Sequence, residues 1–408
     1  MESNRRQFLK ATAAVTALSQ SRVLGANNRI RLGAIGTGHR CRYLLQVVNK
    51  VGDADIQAVC DVYRPNADEA KEKSAPHADT YADYRRVLDR KDLDAVVIGA
   101  PDHWHVHMLH DALAAGKDVY VEKPLTHNIA EGERVMRTMN GTKQIVQVGM
   151  QQRSWPHFKE AKGLIDQGLL GQITLVETYW YQDYLPSTRP EPEIDLSQLD
   201  WKSWLGSAPE QPFSAERFRL WRWYWDFGGG AMTDLFTHWV DVAHWFMDHD
   251  TPQTALTMGN RYIRPEWDCP DTINSYLEYP GHFSITYTGT LNSGIDDGGL
   301  IFRGSQGVLQ IDRTGYELRM EKKRNSPQPA APNRSARGDH DGTIDHMRNF
   351  FECVRSRKTP HAPLSAGVSA ARASHLGNLA LRDHRQVRLE EVTAPDYAAE
   401  ARKAASAS

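Results

Sequence analysis

Cysteine is scarce in this 408-residue chain, and its four cysteines, Cys41, Cys60, Cys269 and Cys353, lie far apart. Zinc and redox motifs need closely paired cysteines, so the spacing predicts buried free thiols instead. No apolar run is long enough to span a bilayer, and no membrane partner is predicted. The formal net charge of −2 gives no electrostatic support for binding nucleic acid or an anionic membrane.

The chain length predicts two domains, because a single hydrophobic core usually stops growing below this size. Helices and strands alternate up to about residue 150, which predicts an α/β domain with a parallel sheet at residues 27–150. Runs of strands dominate residues 151–408, which predicts an α+β domain with a mixed or antiparallel sheet. Residues 321–338, rich in Pro, Ala, Asn and Ser, are interpreted as a loop.

The N-terminus carries the adjacent arginines Arg5 and Arg6, followed by Phe8-Leu9-Lys10 and a short, weakly apolar stretch. This pattern is typical of a twin-arginine export signal, and a disordered basic N-terminus is the alternative. The signal interpretation removes residues 1–26 from the fold and predicts a periplasmic or otherwise exported protein. Because this pathway carries folded proteins, a cofactor can be bound before export and must then stay bound.

A glycine-rich turn follows the first predicted strand, Ile30 to Ile35, and reads Gly36-Thr37-Gly38-His39-Arg40. The glycines allow backbone N–H groups to approach a pyrophosphate at the start of the next helix. Asp61 ends the second strand, where a carboxylate can accept both ribose hydroxyls and repel a 2′-phosphate, although Arg64 nearby weakens this argument. The strand, the glycine turn, the helix and the second strand with its acidic end together predict a Rossmann domain that binds NAD. A glycine turn in an unrelated α/β domain is the alternative.

Two further clusters follow later strands of the same domain. The first contains Pro101, Asp102, His103, Trp104 and His105, and the second is Glu122-Lys123-Pro124. Ligands of parallel sheets bind beyond the carboxyl ends of the strands. We therefore expect residues of both clusters to contact the cofactor together with the glycine turn and Asp61. These residues are Pro101, His103, Trp104, His105, Glu122 and Lys123. For His103, Trp104 and His105 the alternative is an ordinary role in a helix cap or in the core.

These motifs, together with Gly228-Gly229-Gly230-Ala231-Met232-Thr233-Asp234 and His238, resemble the Gfo/Idh/MocA oxidoreductase family over nearly the whole chain after the N-terminal segment. The resemblance implies a Rossmann domain followed by a larger, open-faced β-sheet domain that carries the substrate. It also implies hydride transfer to or from a sugar, a polyol or a related carbonyl, with catalysis by Lys123, Asp234 and His238. We further expect a homo-oligomer, either a dimer or a tetramer.

The chemistry of these three residues suits that reaction. Lys123 can stabilise a developing alkoxide, and His238 titrates near neutrality and can exchange the hydroxyl proton. Asp234 lies one helical turn before His238 and can orient the imidazole or bind a substrate hydroxyl. Which of Lys123 and His238 is the base stays open. Asp241 and His244 continue the stripe, but nothing fixes a metal geometry and no metal is predicted.

Other residues of the second half are candidates for binding substrate. We expect Arg153 and Tyr181, or its neighbour Tyr179, to reach the pocket beside Asp234 and His238; surface charge and sheet packing are the alternatives. Five of the eleven tryptophans, Trp201, Trp204, Trp221, Trp223 and Trp225, lie between residues 200 and 226. This density fits stacking on sugar rings and an oligomer interface equally well.

Three functions remain after these motifs are combined. The leading hypothesis is an NAD-dependent oxidoreductase whose tightly bound cofactor cycles between two sugar or polyol substrates. The second is a redox-neutral glycoside hydrolase or lyase that works through a transient keto-sugar. The third is a non-catalytic sugar-binding protein, which the intact set of Lys123, Asp234 and His238 counts against.

Overall fold

The computed structural model describes residues 29–139, 142–183, 193–322 and 332–393, so the predicted export signal lies outside the described residues. Its first half is a six-stranded parallel sheet in the order β3-β2-β1-β4-β5-β6. The elements are β1 Ile30–Ile35, α1 His39–Val51, β2 Ala54–Cys60, α2 Arg64–Ser74, β3 Asp79–Tyr81, α3 Tyr84–Leu88, β4 Ala95–Ile98, α4 Asp102–Ala114, β5 Asp118–Val121, α5 Ile129–Met139 and β6 Val146–Val148.

The central strands of this sheet are buried along their whole length. Every residue of β4 and of β5 is buried, as expected for parallel strands that helices cover on both faces. The strand order reverses between β1 and β4, and ligands of such sheets bind at this point, beyond the carboxyl ends of the strands. The predicted Rossmann-like sheet is confirmed.

The second half is a nine-stranded sheet in the order β14-β13-β12-β11-β7-β10-β9-β8-β15. Only β7 and β10 pair in parallel among its described strands, so the predicted mixed sheet is also confirmed. The elements are α6 Pro156–Asp166, β7 Ile173–Tyr181, α7 Trp201–Leu205, α8 Ala215–Arg219, a π-helical turn Met232–Phe236, α9 Thr237–Met247, β8 Thr254–Asn260, β9 Thr272–Tyr279, β10 Phe283–Thr290, β11 Gly298–Gly304, β12 Gly307–Asp312, β13 Gly315–Met320, β14 Arg334–Arg337, α10 Thr343–Ser356, α11 Leu364–Arg382, β15 Val387–Arg388 and α12 Leu389–Thr393.

The two faces of this sheet have different environments. Alternate residues of β9 are buried, and helices α9 and α11 pack against that side of the sheet. The opposite side leaves Leu256, Met258 and Tyr276 exposed. The second domain is therefore an open-faced sheet with one covered side and one side that carries uncovered apolar residues.

Helix α10 belongs structurally to the first domain, although the sequence analysis assigned residues 151–408 to the second. It packs against α1, and Met347, Phe350 and Phe351 join the core that contains β1 and β2. The amphipathic pattern of the helix predicts a buried face but not its partner.

The four cysteines are buried and free, as the sequence predicts. No helix of the described residues is long and apolar enough to cross a membrane.

Candidate active site

A cavity of about 1560 Å³ lies at the carboxyl ends of the parallel strands, where the two domains meet. Pockets for small ligands usually have volumes of roughly 300–1,000 Å³, so this cavity has room for a dinucleotide and a second small molecule. Its wall includes Gly36 and Asp61 from the first domain and His238 and Arg313 from the second, with Lys123 facing them.

The glycine turn leaves an open space above the start of α1. Gly36 has φ +72°, and a Cβ at this position would lie 2.5 Å from the backbone nitrogen of Ala100, so only glycine fits. A Cβ on Gly38 would meet no atom within 4 Å. The hydroxyl oxygen of Thr37 is buried without a hydrogen-bond partner among the described residues, and Thr37 itself does not line the cavity. His39 and Arg40 do line it.

Asp61 lies at the end of β2, where an adenosine ribose is expected. Its carboxylate accepts hydrogen bonds from the Tyr63 amide at 2.9 Å and from the Asn66 side chain at 3.3 Å. Burial raises the pKa of Asp61 to about 6 although these hydrogen bonds oppose the shift, so the group is mainly ionised at neutral pH. Arg64 forms an ion pair with Asp68 at 2.7 Å, which weakens the objection that Arg64 would neutralise Asp61.

Glu122 connects the turn to the strand end that carries Lys123. Its buried carboxylate accepts a hydrogen bond from Arg40 Nε at 3.1 Å and another from Gln151 Nε2 at 3.3 Å. The charge of Arg40 is thus compensated inside the first domain. Glu122 therefore orients Arg40, and it also lines the cavity, so its cofactor contact stays a prediction.

Lys123 and Asp234 meet across the boundary between the domains. Lys123 Nζ donates to the Asp234 carboxylate and to its backbone carbonyl, both at 2.7 Å, and Arg222 Nε donates to the same carboxylate oxygen at 3.1 Å. Burial alone would raise the pKa of Asp234, but the charges of Lys123 and Arg222 hold it at about 2. Asp234 is consequently ionised throughout the neutral range and fixes the position of the ammonium group.

His238 is neutral in this environment. Its ring stacks on Trp180 with a centroid distance of 5.6 Å, and its Nδ1 is buried without a hydrogen-bond partner among the described residues. Burial lowers the pKa of His238 well below its usual range, and the positive charges of Lys123, Arg313 and Arg40 lower it further. His238 lines the cavity, and its neutral imidazole can accept a proton there.

The cluster after β4 divides between the cavity and the core. Pro101, Trp104 and His105 line the cavity, whereas His103, predicted to contact the cofactor, does not. His103 Nε2 donates instead to the Trp204 carbonyl at 3.1 Å, and the Trp104 indole donates to the same oxygen at 2.9 Å. Both ring nitrogens of His105 lie at 2.7–2.8 Å from backbone carbonyl oxygens, so neither is free for a ligand.

Two of the predicted substrate residues, Arg153 and Tyr181, lie outside the cavity lining. The Arg153 Nε donates to both carboxylate oxygens of Asp241, at 3.0 and 2.8 Å, because this buried carboxylate needs a cation. Tyr181 stacks on Tyr179 with a centroid distance of 5.5 Å. Arg153 is thereby held within the second domain.

The stripe of Asp and His residues on the helix is also divided. Asp234 and His238 face the cavity, Asp241 binds Arg153, and His244 contacts the Ser369 hydroxyl at 2.8 Å and the Tyr279 hydroxyl at 2.6 Å. No group of three His, Cys, Asp or Glu residues in the described ranges is arranged to hold a metal ion. The last two members of the stripe thus act in packing.

The tryptophan-rich segment packs mainly within the protein. Trp201 stacks on Trp204 at 4.7 Å, and Trp223 stacks on Trp267 at 4.9 Å. Trp204 and Trp223 are buried, and only Trp204 and Trp221 of the five line the cavity. The contacts of Trp204 and Trp223 therefore join the segment to α4 and to the second domain, and the role of this density in an oligomer interface stays a prediction.

Asp102, Trp180, Arg222 and Arg313 also line the cavity, although none of them was predicted as a site residue. Asp102 belongs to a motif that was recognised, and burial raises its pKa well above the usual range. Arg222 lies in the tryptophan-rich segment and Trp180 in β7. Arg313 lies between β12 and β13, where no motif marks it. Of these, only Asp102 had a positional signal, since it follows a parallel strand directly.

Comparisons with known proteins agree with this architecture. Residues 30–150 match the model "Oxidoreductase family, NAD-binding Rossmann fold", and residues 158–310 match the model "GFO/IDH/MocA C-terminal domain". The inositol 2-dehydrogenase of Salmonella typhimurium is 34% identical over 185 residues, which cover 43% of this chain and 53% of that protein. An alpha-N-acetylgalactosaminidase of Shewanella oneidensis is 26% identical over 202 residues, or 42% of this chain and 44% of that protein.

A solved structure of levoglucosan dehydrogenase in complex with NADH and L-sorbose has the same fold, with a TM-score of 0.72 and 16% identity. It matches 89% of this chain and 99% of that one. The chain spans about half the length of the curated relatives it matches. With both domains matched by models of one family, the chain belongs to the Gfo/Idh/MocA oxidoreductases and has their NAD-binding Rossmann domain.

Proposed function

We propose that this chain is an NAD-dependent oxidoreductase that transfers a hydride to or from a sugar or polyol hydroxyl or carbonyl group. The observation that carries the proposal is that a neutral His238 and Lys123, which is oriented by Asp234, line the cavity that contains the glycine turn. The similarity to inositol 2-dehydrogenase supports a polyhydroxylated substrate.

The residues fit NAD and divide the chemistry among them. Gly36, Gly38 and Asp61 hold the pyrophosphate and ribose side of the dinucleotide, and a bound nicotinamide supplies the hydride acceptor or donor. His238 accepts the hydroxyl proton during oxidation and returns it during reduction. Lys123 donates a hydrogen bond to the reacting oxygen and stabilises its negative charge.

The assignment of His238 as the base follows from protonation states. Lys123 Nζ donates to the carboxylate of Asp234 at 2.7 Å, so we assign Lys123 the role of donor to the reacting oxygen. Burial and neighbouring positive charges lower the pKa of His238, so we assign its neutral imidazole the role of the base. The proposal thus gives the two roles to different residues.

The experiment is a screen of aldoses, polyols and sugar acids in which the absorbance of NADH reports turnover. We expect at least one substrate to reduce bound or added NAD, and we expect Lys123→Met to lower kcat by about 10²–10³-fold. The matched control is Lys91→Met, because Lys91 is exposed and precedes β4 at the amino ends of the strands, away from the cavity. Equal activity of the two variants would move the chemistry away from Lys123.

A second candidate function is redox-neutral glycoside cleavage through a transient keto-sugar. The similarity to the alpha-N-acetylgalactosaminidase of Shewanella oneidensis favours it, and Lys123 and His238 suit both reactions. Incubation with aryl glycosides distinguishes the two functions. Release of the aglycone without added NAD or net NADH formation supports the hydrolase, whereas net NADH formation from free sugars supports the oxidoreductase.

We also propose that the protein is exported by the twin-arginine pathway and keeps NAD bound. The basis is the Arg5-Arg6 pair in the sequence and the absence of a free nicotinamide pool outside the cytoplasm. Changing both arginines to lysine should leave the protein in the cytoplasmic fraction. Protein purified from the exported fraction should release stoichiometric NAD on denaturation, and nucleotide-free protein would contradict tight binding.

A homo-oligomer is proposed from the uncovered side of the second sheet. Leu256, Met258 and Tyr276 lie on this side, and Met258 is 72% exposed. Contiguous exposed apolar residues on a sheet face are typical of protein interfaces. Light scattering should give a dimer or a tetramer, and Met258→Lys should shift the protein towards the monomer.

A further inference from the structure

Arg313 brings a positive charge to the cavity without a carboxylate partner. It lies between β12 and β13, and it lines the same cavity as Lys123 and His238. Its guanidinium carbon lies 4.6 Å from the ring centroid of Trp180 and 5.8 Å from that of Trp239. Within the part of the chain that the structure describes, this guanidinium has no hydrogen bond and no carboxylate within 4 Å, and Asp297 and Asp341 act on it only at longer range.

The cations around it are all compensated. Arg40 binds Glu122 at 3.1 Å, and both Lys123 and Arg222 bind Asp234. Two carboxylates act on Arg313 from beyond contact distance, Asp297 more strongly than Asp341, and the Asp341 carboxylate is already engaged by Tyr43 and by Thr343. Arg313 therefore differs from its neighbours in having no anion at contact distance.

An uncompensated guanidinium in a cavity is costly. Burial lowers the pKa of Arg313 below its usual range, which shows that the charged form is poorly solvated there. Stacking on tryptophan offsets part of this cost and leaves the edge of the guanidinium plane available for hydrogen bonds. Arginine presents these donors as a fork that matches a carboxylate.

The position of this charge relative to the proton acceptor is set by one side chain. Trp180 contacts Arg313 on its ring and also stacks on His238 at a centroid distance of 5.6 Å. Arg313 and His238 both line this cavity, and the charge of Arg313 acts on the imidazole, so one small molecule in the cavity lies near both groups. Lys123, which binds the reacting oxygen in the proposed mechanism, lines the same space.

We propose that the substrate carries a carboxylate, as in a hexuronic or aldonic acid, and that Arg313 binds it while a hydroxyl of the same molecule faces His238 and Lys123. This inference rests on the proposed oxidoreductase function and specifies its substrate class. The carboxylate supplies the missing counter-charge, and the bidentate contact fixes which carbon faces the catalytic residues.

The experiment compares matched sugars that differ only in the carboxylate. Single-turnover rates of reduction of the enzyme-bound NAD are measured at a series of sugar concentrations, with D-glucuronate against D-glucose and with D-galacturonate against D-galactose. We expect the acid of a pair to have the larger kcat/KM. Arg313→Met should lower the ratio of kcat/KM for the acid to that for the neutral sugar by about a hundredfold, as expected for losing one partner of a buried charge pair. Arg313→Lys should lower it less, because the charge remains but the fork is lost.

The control is Arg319→Ala, since Arg319 lies exposed in the neighbouring strand β13 and should leave the ratio unchanged. Circular dichroism and retained NAD establish that each variant is folded. Turnover of neutral sugars with no preference for acids would overturn the inference and leave the proposed function standing. Absence of turnover with every sugar would instead remove the proposed function. If Arg313→Met lowers both rates equally or releases NAD, Arg313 binds the cofactor and the carboxylate proposal is wrong.

Discussion

Replacing Asp234 by Asn tests the charge arrangement at the centre of the cavity. The carboxylate lies 2.7 Å from Lys123 Nζ and 3.1 Å from Arg222 Nε, and its pKa falls from the ordinary 3.8 to about 2. One pKa unit corresponds to about 1.4 kcal/mol, so the ionised group contributes about 2 kcal/mol to folding at neutral pH. Asp234→Asn should lower the free energy of unfolding by about that amount, because two cations lose their shared anion.

The sign of the pH dependence follows from the direction of the shift. A carboxyl whose pKa is depressed by folding stabilises the protein above its ordinary pKa, and this contribution is lost as the pH falls towards about 2. The difference between the two proteins should therefore be constant from about pH 5 to pH 8 and should shrink only in more acidic solution.

The assay is urea unfolding followed by tryptophan fluorescence, with the same excess of NAD in both samples so that ligand linkage is comparable. Asp68→Asn is the control, because Asp68 forms an exposed ion pair with Arg64 whose loss should cost less than about 1 kcal/mol. A loss for Asp234→Asn that equals the control, or a loss that changes between pH 5 and pH 8, would refute the reasoning.

Three further variants test other parts of the site. His238→Gln should lower kcat by at least about a hundredfold, because the variant lacks the proposed base. The oxidation rate of the native protein should show no loss from protonation of His238 between about pH 8 and pH 6, because the pKa of His238 lies well below the usual range. Initial rates of NADH formation test both expectations. Gly36→Ala should abolish NAD retention, measured after denaturation, because its Cβ would lie 2.5 Å from the Ala100 nitrogen. Arg153→Met should cost about 3–5 kcal/mol in urea unfolding because Asp241 stays buried, while an increased KM would restore a substrate role to Arg153.

The fold was predictable where a residue pattern reports burial directly. The continuous apolar runs of β4 and β5 indicate strands covered on both sides, and the alternation in β9 indicates a sheet with one buried face. Strand β14, Arg334–Arg337, was interpreted as loop because it is a polar edge strand that pairs only with β13. A strand with one partner and no buried face has no hydrophobic alternation to reveal it.

The site was predictable to the extent that local geometry brings residues together. The carboxyl ends of parallel strands lie at the same edge of a sheet, so Asp61 and Lys123 could be placed at that edge. The spacing of four residues placed Asp234 and His238 on the same face of a helix. Arg222 and Arg313 reach the cavity from an irregular segment and from a turn between strands. No periodicity connects such positions to the catalytic helix, because only the tertiary packing of the two domains brings them there.

The same packing bears on how firmly a cofactor is held. The Lys123–Asp234 pair joins the first domain to the second, His103 and Trp104 of α4 bind the Trp204 carbonyl, and α11 packs on both α5 and β8. Opening the cavity by separating the domains would break this ion pair, whose contribution is about 2 kcal/mol. Contacts that orient the ammonium group for catalysis therefore also oppose domain separation. The proposed export would make this coupling useful, since slow release of NAD would allow many turnovers on one cofactor.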